Sequence, residues 1–153
     1  MVVGPVTRRL VFAAVIAFTD VPSADGRVLV TPPGFICPAR DYPLPVFGRD
    51  PEPNSMAWRI GSIEDASVVD HRLIVFGRFD TSALAKTFVD QLADGTHRLE
   101  IDADITEYEQ SAAVTGMPVP SRRAIRWALR SVSVGDHPAW DLPVTQMEEL
   151  TCL

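Results

Sequence analysis

The sequence predicts an α+β domain in which strands outnumber helices, and three observations carry that prediction. Residues 72–79, where Leu73, Val75 and Gly77 alternate with Ile74, Phe76 and Arg78 so that both faces are partly apolar, and residues 122–134 follow the two-residue period of strands. Residues 84–92 place Leu84, Phe88 and Leu92 at helical spacing, with Ala85 and Val89 alongside. Seven of the thirteen prolines fall within residues 32–53, which predicts a long proline-rich loop.

The 153 residues, 46% of them hydrophobic, suffice for one compact core without metal or disulfide support, so a single domain spanning 1–153 is expected. Residues 10–18 form a continuous apolar run that includes Val11, Phe12, Val15 and Ile16, which suits a first strand buried on both faces. Arg8 and Arg9 ahead of it imitate a secretory signal. Nine residues fall short of the roughly 20 needed to span a bilayer, however, and Phe18-Thr19-Asp20 offers no small-residue cleavage site. Asp25-Gly26 then predicts a turn, and residues 27–31 a second strand.

The proline-rich arm, residues 32–53, carries Phe35, Ile36, Tyr42, Leu44, Val46 and Phe47. A backbone already restricted by proline loses less entropy on binding, so these six are the candidate partner-binding residues. Residues 56–66 and 72–79 read as two strands joined by a turn near Asp70-His71. Asp80 or Thr81 is expected to cap the following helix, with Leu84 on its apolar face and Gly95 closing it. A strand over residues 95–105 follows, then a polar stretch and a loop containing Gly116-Met117-Pro118-Val119-Pro120. In residues 122–134, Ile125, Trp127 and Leu129 alternate with Arg126, Ala128 and Arg130. Pro138-Ala139-Trp140 ends the folded core, and the tail, residues 144–153, is expected as a short helix or a frayed end.

A formal net charge of -6 with one lysine, Lys86, argues against nucleic-acid binding, which draws on clustered cations to release counterions. Arg122, Arg126 and Arg130 share a strand face and form at most a local basic stripe. Cys37 and Cys152 stand in no zinc or redox pattern and read as reduced thiols; no metal or other cofactor is implied.

Glu100, Asp102 and Asp104 alternate with Leu99, Ile101, Ala103 and Ile105, so the three carboxylates share one face. Such a row suits a hard cation or an acid pair, while the plainer account is a strand with one wet face. His97 with Thr96 or Ser111 offers a nucleophile pair, and His71 or His137 is a further candidate base.

Four stretches resemble the tailed-phage prohead (capsid maturation) protease family, a serine-peptidase fold related to the herpesvirus assemblins. These are Ala14-Val15-Ile16-Ala17-Phe18 with Asp25-Gly26-Arg27; Leu44-Pro45-Val46-Phe47; Ile60-Gly61-Ser62-Ile63-Glu64 with residues 73–80; and Ser131-Val132-Ser133-Val134 with His137-Pro138-Ala139-Trp140. The resemblance covers residues 10–145 and implies a β-barrel-like antiparallel sheet core with a few flanking helices. It also places Glu100 at the family's serine and Asn54 at its histidine. Glutamate cannot form a serine-type acyl-enzyme and asparagine cannot serve as the base, so the chain is expected to be catalytically inactive.

What the resemblance then implies is a phage virion structural protein, a capsid decoration or minor capsid protein made in the host cytoplasm. Its expected partners are the major capsid protein or other virion proteins, in a homo-oligomer or symmetric array, with no nucleic acid or membrane involved. The alternative is an active capsid maturation protease with relocated catalytic residues. Trp58, Trp127 and Trp140 are further candidate contacts, though tryptophan in so small a fold more often packs inside.

Overall fold

A computed structural model describes residues 7–23, 26–31, 35, 37–49, 57–110, 122–136 and 146–152, with backbone course only at 7–9, 110 and 146–152. Its elements run β1 (Thr7–Phe18), β2 (Arg27–Leu29), β3 (Leu44–Arg49), β4 (Ala57–Val69), β5 (Arg72–Phe79), α1 (Ala83–Ala93), β6 (Arg98–Gln110), β7 (Arg122–Gly135) and β8 (Gln146–Cys152). All eight strands belong to one curled sheet in the order β2-β7-β3-β4-β5-β1-β8, with β6 on the other edge of β7. The curl brings β6 close to β1 without a ladder between them.

The β4–β5 hairpin forms where the sequence places it. Val69 pairs with Arg72, and Asp70 and His71 take φ of 51° and 62°, the two left-handed residues of a type I′ turn that matches strand twist. Strand β1 pairs with β5 and β8; Phe12, Ala14 and Ile16 are buried, while Val11, Ala13 and Val15 are half-buried. The first strand is thus sealed on one face rather than both.

Helix α1 is the one helix among the described residues, where a few had been expected. Its cap is Ser82, not Asp80 or Thr81: the Ser82 hydroxyl accepts the Ala85 N–H at 3.1 Å. The helix buries Ala85, Phe88 and Leu92, spaced three and four apart, which turns Leu84 out to 41% exposure. Phe88 lies directly on Gly48 of β3, a position where a Cβ would enter the ring. After the helix, Gly95 takes φ +81°, as a helix stop requires.

Three expectations are corrected. The sheet is mixed: β2 and β3 both run parallel to β7, because the chain segment holding them follows one edge of β7. Arg27 meets Arg122, Val30 N–H reaches Ala124, Cys37 and Ala39 bracket Leu129, and Val46–Gly48 meet Val132–Val134. Such parallel neighbours need the long connections that lie between them.

The proline-rich arm is therefore not a loop throughout, since β3 lies inside it as an interior strand between β4 and β7. Pro45 is tolerated there because the β7 ladder begins one residue later, at Val46. Finally, the tail is a strand: β8 pairs antiparallel with β1 from Ala13↔Gln146 to Thr7↔Cys152.

Candidate functional site

Strands β6, β7 and β3 bring the candidate site together. Leu99, Ile101, Ala103 and Ile105 of β6 pack against the core, which turns Glu100, Asp102 and Asp104 to the other face as the alternation predicts. Glu100 pairs across the ladder with Ser133, and its carboxylate lies over Gly135, where a Cβ would come within 2.5 Å of Oε1. On the far side of β7, the Arg49 Nε–H donates to Ser133 Oγ at 3.1 Å. Glu100, Ser133 and Arg49 thus lie in line across three adjacent strands.

In that line Ser133 is not placed as a nucleophile. Ser133 is 2% exposed, and its oxygen accepts from a guanidinium, a group that donates only and takes no proton. Asn54, the expected counterpart of the family's histidine, lies outside the described residues. What the structure sets beside Ser133 instead is Arg49, a residue the sequence did not single out.

The other carboxylates are held by arginines of β7. Asp102 accepts from Arg130 Nη2 at 2.8 and 3.0 Å, from Arg130 Nε at 3.3 Å and from the buried Ser131 hydroxyl at 2.8 Å. Arg130 Nη1 lies 3.2 Å from Asp104, and Arg126 Nε 2.9 Å from Glu107. The Asp102 hydrogen bonds and charge, with Asp104 behind them, push the Arg130 guanidinium above its ordinary pKa. Arg126 and Arg130 of the basic stripe and Asp102 and Asp104 of the acidic row, joined by Glu107, thus form one cross-strand ladder. Among the described residues no three His, Cys, Asp or Glu side chains converge to hold a metal ion.

The Thr96–His97 pair exists, with Oγ1 2.9 Å from Nδ1, but its wiring is that of a helix end. Asp94 accepts both the Thr96 N–H at 2.9 Å and the Thr96 hydroxyl at 2.7 Å, bonds that lower the Asp94 pKa. The hydroxyl has one proton, and the carboxylate at 2.7 Å takes it, leaving His97 Nδ1 to donate. A triad needs the imidazole between acid and nucleophile; here the hydroxyl is in the middle.

His71 is occupied in the hairpin turn. Its Nδ1 is 3.0 Å from Asp20 Oδ2, and its carbonyl accepts the Thr19 N–H at 2.7 Å. Ser111 and His137 lie outside the described residues.

The arm's candidate partner residues are largely committed to the fold. Leu44 and Val46 are fully buried in β3 and cannot serve as displayed anchors, a correction that follows from the strand's interior position. The Phe35 ring lies 4.7 Å from that of Trp127. Tyr42 donates to the Ala66 carbonyl at 3.0 Å and accepts the Ala66 N–H at 2.9 Å. Phe47 is half-buried, and Ile36 lies outside the described residues.

Trp127 is buried with its indole N–H on the Val30 carbonyl at 2.9 Å, and Trp58 packs half-buried against the core; Trp140 is outside the described residues. Cys37 is buried too, and that burial, with Asp65 nearby, pushes its thiol up to about 11.

Comparison with protein-family models, with curated proteins and with solved structures finds no match to this chain. Among the described residues no helix is long and apolar enough to cross a membrane.

Proposed function

We propose that this chain is a phage virion structural protein derived from a prohead-protease fold, catalytically inactive, which binds the capsid as a decoration or minor capsid protein. The observation that carries this reading is the Glu100–Ser133–Arg49 line. At the strand position corresponding to the family's nucleophile stands a carboxylate, and the groups around it are a guanidinium and a buried serine that accepts from it. The strand-rich fold, with a hairpin leading into one helix and then the β6 strand, is compatible with that ancestry.

The partners in this reading are the major capsid protein or other virion proteins, the assembly a homo-oligomer or a symmetric array, and the destination the virion after synthesis in the host cytoplasm. The competing possibility is an active maturation protease with relocated catalytic residues, for which Thr96 and His97 are the available pair. Incubating the purified protein with capsid precursor separates the two. The expected result is intact precursor; specific cleavage that His97→Ala or Glu100→Ala abolishes would overturn the proposal.

A further inference from the structure

We propose that the outer edge of β6, over residues 104–109, docks an extended cationic segment of another protein, which joins the sheet as an added strand. Among the described residues β6 pairs with β7 alone, and its ladder shifts register on either side of Glu107, so the N–H and C=O groups that face away from the sheet along its other edge run in two short stretches with an irregularity at Thr106 between them. Thr106, Glu107, Tyr108 and Glu109 are all exposed, Tyr108 at 54%, which leaves this half of the edge open on both faces. An unpaired edge of this kind supplies backbone hydrogen bonds to a partner, and the side chains beside it choose the partner.

Charge decides between occupants. A second copy pairing antiparallel about Tyr108 sets Glu107 of one chain opposite Glu109 of the other, and like charges directly opposite destabilise a ladder. A cationic strand meets the reverse situation. Strand β7 already shows the matching pattern from the other side, with Arg126 on Glu107 at 2.9 Å and Arg130 on Asp104 at 3.2 Å. Each carboxylate has about four lone-pair sites, so one guanidinium does not exhaust it. The Tyr108 ring adds a face on which a Lys or Arg stem can lie. The net charge of -6 favours encounter with a cationic segment. The occupant is therefore an extended stretch with Arg or Lys at alternate positions.

The test uses a fluorescent ten-residue peptide of alternating Arg and Thr and its counterpart N-methylated at every backbone nitrogen, which blocks both strand edges, both titrated into the full chain. The two carry the same charge, and only the first can pair along a strand edge. The expected result is saturable binding of the first peptide, loss of about tenfold or more in affinity for the second, and slowed hydrogen exchange at residues 104–109. Glu107→Lys with Glu109→Lys should weaken the first peptide by a similar factor. Equal affinity for both peptides, reflecting charge attraction alone, would overturn the proposal. So would no binding at all, or a dimer of the chain protected over 104–109. Because the peptide pair is compared on the unaltered chain, a double variant that fails to fold leaves the test intact. No phage particle is involved, so failure here leaves the virion reading standing.

Discussion

Strand β6 and the proline-rich segment 32–53 use their side chains in opposite ways. The proline-rich segment is the more apolar-looking surface in the sequence, yet it supplies the sheet with an interior strand in which Leu44 and Val46 have no exposed area. Strand β6 buries Leu99 and half-buries its other apolar residues, then runs on with four successive exposed residues, 106–109. Proline content marks a backbone with fewer donors, which neighbours can still enclose, whereas residues 106–109 of β6 are exposed along an edge that carries no ladder among the described residues.

The sharpest way to break this contrast is to truncate the arm's core residue. Leu44→Ala should cost about 2–5 kcal/mol in denaturant unfolding, because it empties a fully enclosed site; a cost under about 0.5 kcal/mol would show that β3 is not held in the sheet. Tyr42→Phe removes a hydroxyl that bridges both backbone groups of Ala66 and should cost about 1–2 kcal/mol by the same measurement. On β6, Asp102→Ala strips the acceptor from the buried Ser131 hydroxyl and should also cost about 1–2 kcal/mol. Glu107→Ala lies five residues further along the same strand, where both partners of the ion pair are exposed, and should change stability by less than about 0.5 kcal/mol.

Cys37 gives the contrast a pH dependence. Its thiol is raised from the usual 9.0 to about 11, so the folded chain holds the proton more tightly than the unfolded chain. The associated stability is complete below pH 9.0 and is lost as pH rises toward about 11. In a Cys152→Ser background, alkylation of the folded chain near pH 8 should run roughly 100-fold slower than that of a free thiol, in line with its smaller thiolate fraction. A rate near that of free cysteine would place Cys37 at the surface.

Elements with a local period were legible in the sequence. The Asp70-His71 turn, the helix with Phe88 and Leu92 on its packed face, and the alternation of β6 and β7 each depend on residues within a dozen positions of one another, though Leu84, read on that helix face, is replaced there by Ala85. What escaped depends on partners far along the chain. Strand β3 is held by Ile63 to Ala57 on one side and Val132 to Val134 on the other, and prolines conceal its short apolar run. Strand β8 is a short acidic stretch that becomes a strand by pairing with β1.

The same distance hid half of the site. Arg49 and Ser133 meet across 84 positions, and no local pattern links them. The ladder of Asp102, Asp104 and Glu107 with Arg126 and Arg130 was within reach, since β6 and β7 are consecutive strands whose charges alternate with opposite sign. The acids and the arginines, far apart along the chain, form one ion-paired surface.

In the proposed virion role, Glu100 stands where a catalytic centre was lost and the protein stays with the capsid. Quantitative mass spectrometry of purified mature virions tests it most directly. The expected result is the intact chain at a fixed ratio to the major capsid protein. Its absence from mature particles, together with its presence in proheads, would contradict the account and return the protein to the role of a protease.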